Sequence, residues 1–219
     1  MAVTEDAACI FEKTDAEGPN HARVCGPFVE EALSFIESHA IPLDAVAVSQ
    51  GPGSYTGLRI GVSMAKGVAY GRSVPLVAVS TLKLLCVPLL LHHDELPEEA
   101  LFVPMIDARR MEVYAAVYDR ALHQLRAPQA DIVDASTYQE WLERGPVCFF
   151  GNGSAKCRSV ITHPNAIFVD DIHPLAKNMY PLAAQALSRG ELADVAYMEP
   201  FYLKDFVATK PKELLRVVK

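Results

Sequence analysis

The residues best suited to binding a small anion lie in a glycine-containing loop that follows a short apolar run. The run, Ala45-Val46-Ala47-Val48-Ser49, is typical of a buried parallel strand. The loop after it contains Gly51, Gly53, Ser54, Tyr55 and Thr56. Backbone N–H groups from Gly53 to Thr56, at the start of a helix, could form a phosphate nest. A tight turn without a ligand explains the same residues. Both interpretations stay open.

Two sequence patterns for nucleotide loops do not match this segment. A dinucleotide-binding loop would need a third glycine where Thr56 stands. A Walker A loop would need Gly-Lys-Ser/Thr after four free positions, and Leu58 follows Gly53 at that spacing. The loop is therefore at most a candidate phosphate loop of another kind.

Two groups of residues carry side chains that bind metal ions in other proteins. His21 and Cys25 are four positions apart in a predicted helix, so both face one side. No second pair of ligands accompanies them, and a packed thiol is the simpler interpretation. The run from His92 to Glu95 is explained as a polar helix end, where the helix dipole favours histidine. We expect no metal site.

Candidate nucleophiles lack the groups that would activate them. Ser49 and Ser54 do not stand in a G-x-S-x-G setting, and the chain has no H-E-x-x-H segment. The five cysteines have no recognisable histidine partner in the sequence. The sequence therefore predicts no catalytic residue.

The helix after the loop has features that require a packing explanation. Ser54 is its predicted N-cap, and Gly71 its predicted stop. Residues without bulky side chains recur every four positions and form one narrow face: Gly57, Gly61, Ala65 and Ala69. Each helical glycine costs roughly 1 kcal/mol relative to alanine, so two of them indicate a close approach of another backbone. That backbone could belong to the chain's own sheet or to a helix layer from another chain.

In the rest of the chain, hydrophobic periodicity predicts alternating strands and helices. Leu101–Asp107 and Glu112–Tyr118 read as paired strands. Strands are also predicted at 131–133, 147–150 and 166–169. Helices are predicted at about 20–39, with Asn20 as N-cap, and at 81–91, 136–144, 174–189 and from Ser154 onward.

The stretch from Gly51 to Gly71 reads GPGSYTGLRIGVSMAKGVAYG. It resembles the signature of the TsaB (YeaZ) family, the bacterial partner of the TsaD enzyme in making threonylcarbamoyl adenosine on tRNA. The usual pattern is GPGS-aromatic-TGLRIG followed by a small-residue helix, and the match is nearly complete. The segments PLVAVSTLKLL, MIDARRMEVYAAVY, GNGSAK and EPFYLK resemble the family in the expected order. The resemblance covers most of the chain from about Asn20 onward.

The resemblance implies an α/β fold of two RNase H-like lobes in the actin and sugar-kinase (ASKHA) class. Residues 1–97 would form the N-terminal lobe with the partner-binding helices, and residues 98–219 the C-terminal lobe. TsaB-like proteins usually begin with an earlier strand that ends in Asp/Glu-Thr-Ser, whereas Met1 falls where the second strand begins. We expect the first lobe to lack its N-terminal strand, through a truncated gene or expressed segment, and to expose unpaired strand edges.

The resemblance also implies a non-catalytic subunit that binds and activates TsaD as a heterodimer. TsaE, an ATPase, would be a further partner. Two helices of the first lobe could form half of a four-helix interface. The predicted interface residues are His21, Val24, Cys25, Phe28, Gly57, Leu58, Ile60, Gly61, Met64 and Ala65. Without TsaD, the same patch could close a two-fold homodimer.

Asp107, at a strand end, resembles the acid of the second phosphate loop in actin-like ATPases. Those loops continue with glycine and a small hydroxyl residue, whereas Ala108, Arg109 and Arg110 follow here. An Asp–Arg hairpin turn is the simpler interpretation. We expect no cofactor, with ATP or ADP at the heterodimer interface as the open alternative. The competing function is a stand-alone ATPase or peptidase, since the wider family was once described as glycoproteases.

Composition limits how the chain could meet tRNA and where it works. The net charge is −7 over 219 residues, whereas binding to nucleic acid depends on clustered Lys and Arg. We therefore expect tRNA contact only through the partner complex, with direct RNA binding as a weaker alternative. Scattered cysteines without a C-x-x-C pair indicate reduced thiols in the cytoplasm. No signal segment or membrane span is expected, because the longest apolar run, Leu84 to Leu91, is short and contains Pro88.

Overall fold

The computed structural model describes residues 1–15 and 21–204 as a mixed α/β protein. Within these residues the strands are β1 Ala2–Glu5, β2 Ala8–Glu12, β3 Val46–Gly51, β4 Leu76–Ser80, β5 Leu101–Asp107, β6 Glu112–Tyr118, β7 Gln124–Ile132, β8 Val147–Phe150 and β9 Ala166–Val169. The α-helices are α1 His21–Ser38, α2 Tyr55–Arg72, α3 Thr81–His92, α4 Gln139–Leu142 and α5 Tyr180–Ser188. The mixed α/β prediction is confirmed.

A five-stranded sheet in the order β7-β6-β5-β8-β9 forms the centre of the second half of the chain. β5 is antiparallel to β6 and parallel to β8, so it joins the two kinds of pairing. The predicted β5–β6 hairpin is confirmed with the predicted bounds. One face of the sheet packs against α3 through Leu85 and Leu89, and the other packs against Tyr138 and Leu142. Both faces of the central strands β5, β6 and β8 are therefore buried, whereas β7 at the edge is largely exposed.

The first half of the chain forms two separate pairs of strands. β1 and β2 form an antiparallel pair, and β3 and β4 form a parallel pair. On one face of the β3–β4 pair, Val62, Ala65 and Ala69 of α2 pack against Val48 and Leu76. On the other face, residues of α5 pack against the same two strands. Helices therefore cover both faces of β3 and β4.

Several element boundaries differ from the sequence prediction. The helix predicted at 136–144 is only α4, and the hydroxyl of Ser136, its predicted cap, donates to Asp134. The helix predicted from Ser154 is a 3-10 turn, Ala155–Cys157. The helix predicted at 174–189 is a 3-10 turn, Ala176–Met179, followed by α5. At 136–144, turn hydrogen bonds around Asp134 compete with helical ones and leave only the short α4.

The remaining differences concern β7, the end of α2 and the domain boundary. The strand predicted at 131–133 is the end of the longer β7. α2 continues past Gly71 to Arg72, and Ser73 caps it in the left-handed conformation. The predicted turn at 18–20, including the cap Asn20, lies outside the described residues. The boundary near residue 97 stays a prediction; α5, from the second half of the chain, packs against β4 of the first half.

Candidate functional site

The glycine loop is closed by the segment around Phe201. Gly51 has φ 120°, and a Cβ atom built on it would lie 2.5 Å from the carbonyl oxygen of Phe201. The amide of Phe201 donates to the carbonyl of Gln50 at 2.7 Å. Only glycine fits position 51, both in backbone conformation and in space. The contact with Phe201 therefore explains the glycine at position 51 without a bound phosphate.

The start of α2 has the cap that the sequence predicts. The hydroxyl of Ser54 accepts from the amide of Gly57 at 3.4 Å, and its carbonyl accepts from Leu58 at 2.8 Å. The ring of Tyr55 lies 4.8 Å from the ring of Tyr202, and Thr56 is exposed. Tyr202 therefore lies beside the start of α2. A phosphate at this loop stays a prediction.

Asp107 is held by partners from a distant part of the chain. Its carboxylate forms an ion pair with Lys156 and accepts from the backbone amide of Arg109 at 3.1 Å. Its own amide donates to the side-chain oxygen of Asn152 at 3.0 Å. The sequence suggested an Asp–Arg turn here. In the structure the cation that pairs with the Asp107 carboxylate is Lys156, whereas Arg109 contacts that carboxylate only through its backbone amide. The segment GNGSAK, which contains Asn152 and Lys156, was noted in the sequence only for its family likeness.

The last described residues join the two candidate loops. Tyr202 contacts Tyr55 at the start of α2, and Lys204 forms an ion pair with Glu112 at the start of β6. Lys156 also donates to the carbonyl of Glu112, at 2.6 Å. The segment EPFYLK is therefore a structural connection between the glycine loop and the Asp107 turn.

The two helices predicted to bind a partner pack against each other. In α1, Val24, Cys25 and Phe28 are partly buried, and a Cβ atom built on Gly26 would lie 4.0 Å from Cε of Met64 in α2. The side chain of His21 lies outside the described residues. Burial raises the pKa of the Cys25 thiol, with the N-terminal charge acting in the opposite direction. Cys25 is therefore a neutral packed thiol near neutral pH.

The outward side of α2 forms a shallow groove of about 610 Å³. Its lining residues are Tyr55, Thr56, Arg59, Ile60, Ser63 and Met64. Gly61 does not line this groove but a separate cavity of about 280 Å³, which residues of α1 and β3 also line, and a Cβ atom built on it would meet no heavy atom within 4 Å. The close backbone contact that two helical glycines indicated is thus not made at Gly61 by the described residues. Space for a side chain or for another backbone is open there.

Two of the predicted interface residues, Leu58 and Ala65, make contacts within the chain. Ala65 is 9% exposed and packs with Val48 and Val62 in the core. The side chain of Leu58 lies over the glycine loop, within 4 Å of Cβ atoms built on Gly51 and Gly53. Helical spacing groups these residues with the outward face, but the position of the sheet and of the loop decides which way each one faces.

Among the described residues, no group of three His, Cys, Asp or Glu side chains could hold a metal ion. His93 pairs with Glu95 at 2.7 Å at the end of α3. All five cysteines are free thiols. Burial raises the pKa of Cys148 to about 11 and also raises that of Cys157. Protonated, buried thiols are poor nucleophiles and poor metal ligands.

Comparisons with known proteins agree with the sequence signature. The family model described as TsaD: tRNA N6-adenosine threonylcarbamoyltransferase matches residues 16–212. The chain is 33% identical over 168 residues to the tRNA threonylcarbamoyladenosine biosynthesis protein TsaB of Bacillus subtilis, across 74% of this chain and 69% of that protein. It is 28% identical over 200 residues to TsaB of Escherichia coli K12, across 87% and 83%.

Solved structures share the fold. YeaZ from Pseudomonas aeruginosa has a TM-score of 0.68 at 23% identity, over 92% of each chain. A crystal structure described as an uncharacterized protein with similarity to peptidase YEAZ, from the same organism, has a TM-score of 0.71 at 22% identity, over 93% of each chain. The chain belongs to the TsaB (YeaZ) family, a relative of TsaD.

No helix among the described residues is long and apolar enough to cross a membrane.

Proposed function

We propose that the chain is a non-catalytic subunit required for threonylcarbamoyl adenosine modification of tRNA, and that it binds and activates the TsaD transferase as a heterodimer. Membership of the TsaB family supports the pathway, because its relatives are named as biosynthesis proteins for this nucleoside. In this proposal the fold is of the ASKHA class, with RNase H-like lobes at 1–97 and 98–219. TsaE is a further partner, and the complex works in the cytoplasm.

The observation that carries the partner role is the surface made by α1 and α2. We call it the partner surface and define it by Val24, Cys25, Phe28, Gly57, Ile60, Gly61 and Met64, all partly buried. Apolar side chains and an open glycine are typical of helices that accept another helix layer at close range. His21 stays a predicted member, while Leu58 and Ala65 are left out because they pack within the chain. Alone, the chain would use the same surface for a two-fold homodimer.

The chain is proposed to hold no nucleotide by itself, with ATP or ADP bound, where required, at the heterodimer interface. The ion pair between Asp107 and Lys156 supports this, because that lysine already neutralises the carboxylate a magnesium ion would need. Contact with tRNA would come through the complex, in keeping with the net charge of −7.

The first test is association of the purified chain with TsaD from the same organism, followed by sizing and light scattering with and without ATP. We expect a stoichiometric complex, and we expect it to replace the homodimer. A folded chain that forms no complex would contradict the proposal. ATP turnover by the chain alone would instead support the competing ATPase function, and peptide hydrolysis would support a peptidase.

The second test places a bulky residue on the partner surface. A leucine at Gly61 would overpack a helix contact at a typical cost of about 1–3 kcal/mol, which weakens TsaD binding roughly 5- to 150-fold. Gly67→Leu is the matched control, because Gly67 is exposed on the same helix and also has no heavy atom within 4 Å of a built Cβ. If both variants bind TsaD like the original chain, Gly61 does not lie in the interface.

A further inference from the structure

The turn between β5 and β6 contains two adjacent arginines in a backbone conformation that few residues adopt. Arg109 has φ 73° and Arg110 has φ 48°. The left-handed region is unfavourable for a residue with a Cβ atom, whereas glycine adopts it freely and asparagine is enriched there. The backbone of this turn would favour Gly or Asn at both positions, so the two arginines require an explanation in their side chains. We call residues 108–111 the basic turn.

The side chains of Arg109 and Arg110 are exposed and, within the described part of the chain, form no hydrogen bond or ion pair. Arg109 contacts Asp107 only through its backbone amide. Asp107, just before the basic turn, already pairs with Lys156. The acid just after the turn is likewise paired, with Lys204. Two positive charges therefore remain uncompensated here, in a chain whose net charge is −7.

The chemistry of the two arginines favours an anion from outside the chain. A guanidinium group is always charged, and its planar fork of N–H donors matches the oxygens of a phosphate or a carboxylate. Two such groups on neighbouring residues suit a ligand with several anionic groups in series, which is a nucleic-acid backbone or an acidic peptide. In the sequence after Lys204, Lys and Arg outnumber Asp and Glu, so that segment has no net negative charge to compensate them.

Aromatic side chains next to the basic turn favour RNA over an acidic peptide. Lys204 pairs with Glu112 at the turn, and two residues before it the exposed ring of Tyr202 lies 4.8 Å from the ring of Tyr55. Arg59, also exposed, donates to the hydroxyl of Tyr55 at 3.5 Å. Basic residues with aromatic side chains among them are typical of surfaces that bind RNA, because bases stack on the rings while the cations hold phosphates.

We propose that the basic turn binds phosphates of the tRNA through Arg109 and Arg110 while the chain is part of the modification complex. The choice of tRNA rests on the proposed function, whereas contact with an RNA backbone does not. The net charge of −7 opposes RNA over most of the surface, so the basic turn would also fix the side from which RNA approaches. Phosphate contacts position a nucleic acid without reading its sequence, so the turn orients the tRNA and does not select it.

The test compares tRNA binding by the complex of TsaD with the original chain and with a variant of the turn. Arg109→Asn combined with Arg110→Gly removes both charges and introduces residues suited to positive φ, so Tm should stay equal or rise. Binding of fluorescein-labelled tRNA is measured by anisotropy over a series of salt concentrations. We expect roughly 5- to 30-fold weaker binding. The slope of log affinity against log salt should become shallower by about 1.4–1.8, because two phosphate contacts are lost.

Two control variants separate the charge of the turn from the charge of the whole chain. Arg109→Lys combined with Arg110→Lys keeps both charges and should keep the full salt slope. Arg144→Asn combined with Arg189→Asn removes two exposed arginines elsewhere and should change neither quantity. Arg144 precedes β8, whose first residue lies beside the first residue of β5, so it is at the opposite end of that sheet from the basic turn. Sizing records the association of each variant with TsaD.

Three results would overturn the proposal. The first is equal affinity and equal salt slope for the original chain and the Asn-Gly variant. The second is an equal loss of affinity in the Arg144 and Arg189 control, which would indicate a general effect of net charge. The third is tighter binding of a polyglutamate peptide than of tRNA, lost in the Asn-Gly variant, which would identify an acidic peptide as the ligand.

The same experiment distinguishes this proposal from the proposed function. If the original chain forms no complex with TsaD, the proposed function is contradicted. The comparison of tRNA binding is then made on the chain alone at low salt, where phosphate contacts are strongest. Weaker binding by the Asn-Gly variant under those conditions would still support the RNA contact, and equal binding would overturn it.

Discussion

Gly51 gives the sharpest test of how the glycine loop is built. Replacing it by alanine would place a methyl group 2.5 Å from the carbonyl oxygen of Phe201, 3.1 Å from Cδ1 of Leu58 and 3.3 Å from the carbonyl carbon of Phe201. The closest contact is with backbone, which cannot rotate away as a side chain can. The φ of 120° adds strain for any residue with a Cβ.

The expected loss of stability follows from these two effects. Holding alanine in a backbone conformation suited to glycine costs about 1–3 kcal/mol. Moving Phe201 away would also break its hydrogen bond to Gln50, which contributes about 1 kcal/mol. We therefore expect Gly51→Ala to lower the free energy of unfolding by about 2–4 kcal/mol, and Tm by roughly 5–15 °C for a chain of this size.

Gly53→Ala is a matched control in the same loop. A Cβ atom there would lie 3.8 Å from the nearest atoms, in the side chain of Leu58, which is ordinary van der Waals contact. Its expected effect on unfolding is within about 0.5 kcal/mol. Urea and thermal unfolding compare the two variants, and hydrogen exchange follows the amide of Phe201. Equal stability of the two variants would refute the argument, and a protected Phe201 amide in Gly51→Ala would exclude the predicted displacement.

Three further predictions concern ion pairs and acid stability. Asp107→Ala removes the ion pair with Lys156, in which the two side chains are 46% and 25% exposed. The free energy of unfolding should therefore change by less than about 1 kcal/mol, and tRNA modification by the complex should persist. A large loss of modification would mean that Asp107 has a catalytic or ligand role. Arg126→Met leaves the Asp131 carboxylate, which is 8% exposed, without its cation, and should lower the free energy of unfolding in urea by about 3 kcal/mol. Tyr138→Phe removes only one hydrogen bond to Asp131, of 2.6 Å, and should lower it by about 1–2 kcal/mol. Equal losses would contradict the argument that a buried charge without a partner is the more costly change. Hydrogen bonds from Ser136 and Thr137 lower the pKa of Asp134 in the folded chain, so its contribution to stability is present above its unfolded pKa of about 3.9 and is lost as pH falls further. Asp134→Asn should therefore flatten the acid side of a stability–pH profile, and an unchanged slope would contradict this.

Local sequence signals determined the elements that carry the candidate site. Ser54 predicted the start of α2, because a hydroxyl at that position can accept a helical amide, and the structure has that bond. The alternation around Leu101–Asp107 and Glu112–Tyr118 predicted the β5–β6 hairpin with its observed bounds. The signature from Gly51 to Gly71 indicated the family, which the curated relatives confirm. Each of these signals depends on residues that are close together in the sequence, so it can be recognised without the tertiary structure.

Local patterns failed where turn hydrogen bonds or strand pairing outweighed periodicity. The stretch at 136–144 has helical spacing, but the Asp134 carboxylate binds the amide and hydroxyl of Ser136 and leaves only the short α4. β7 extends back to Gln124 because β6 offers it a partner along its length, despite Pro128. Cross-strand pairing cannot be read from one strand alone.

Only the tertiary structure decided which residues meet across long separations. Asp107 pairs with Lys156, and Phe201 closes the loop at Gly51, through contacts between segments that are distant in the sequence. Ala65 and Gly61 share one helical face by spacing, yet the first packs on β3 and the second borders open space. These contacts depend on how distant segments pack together, so they cannot be predicted from the residue types of either segment alone.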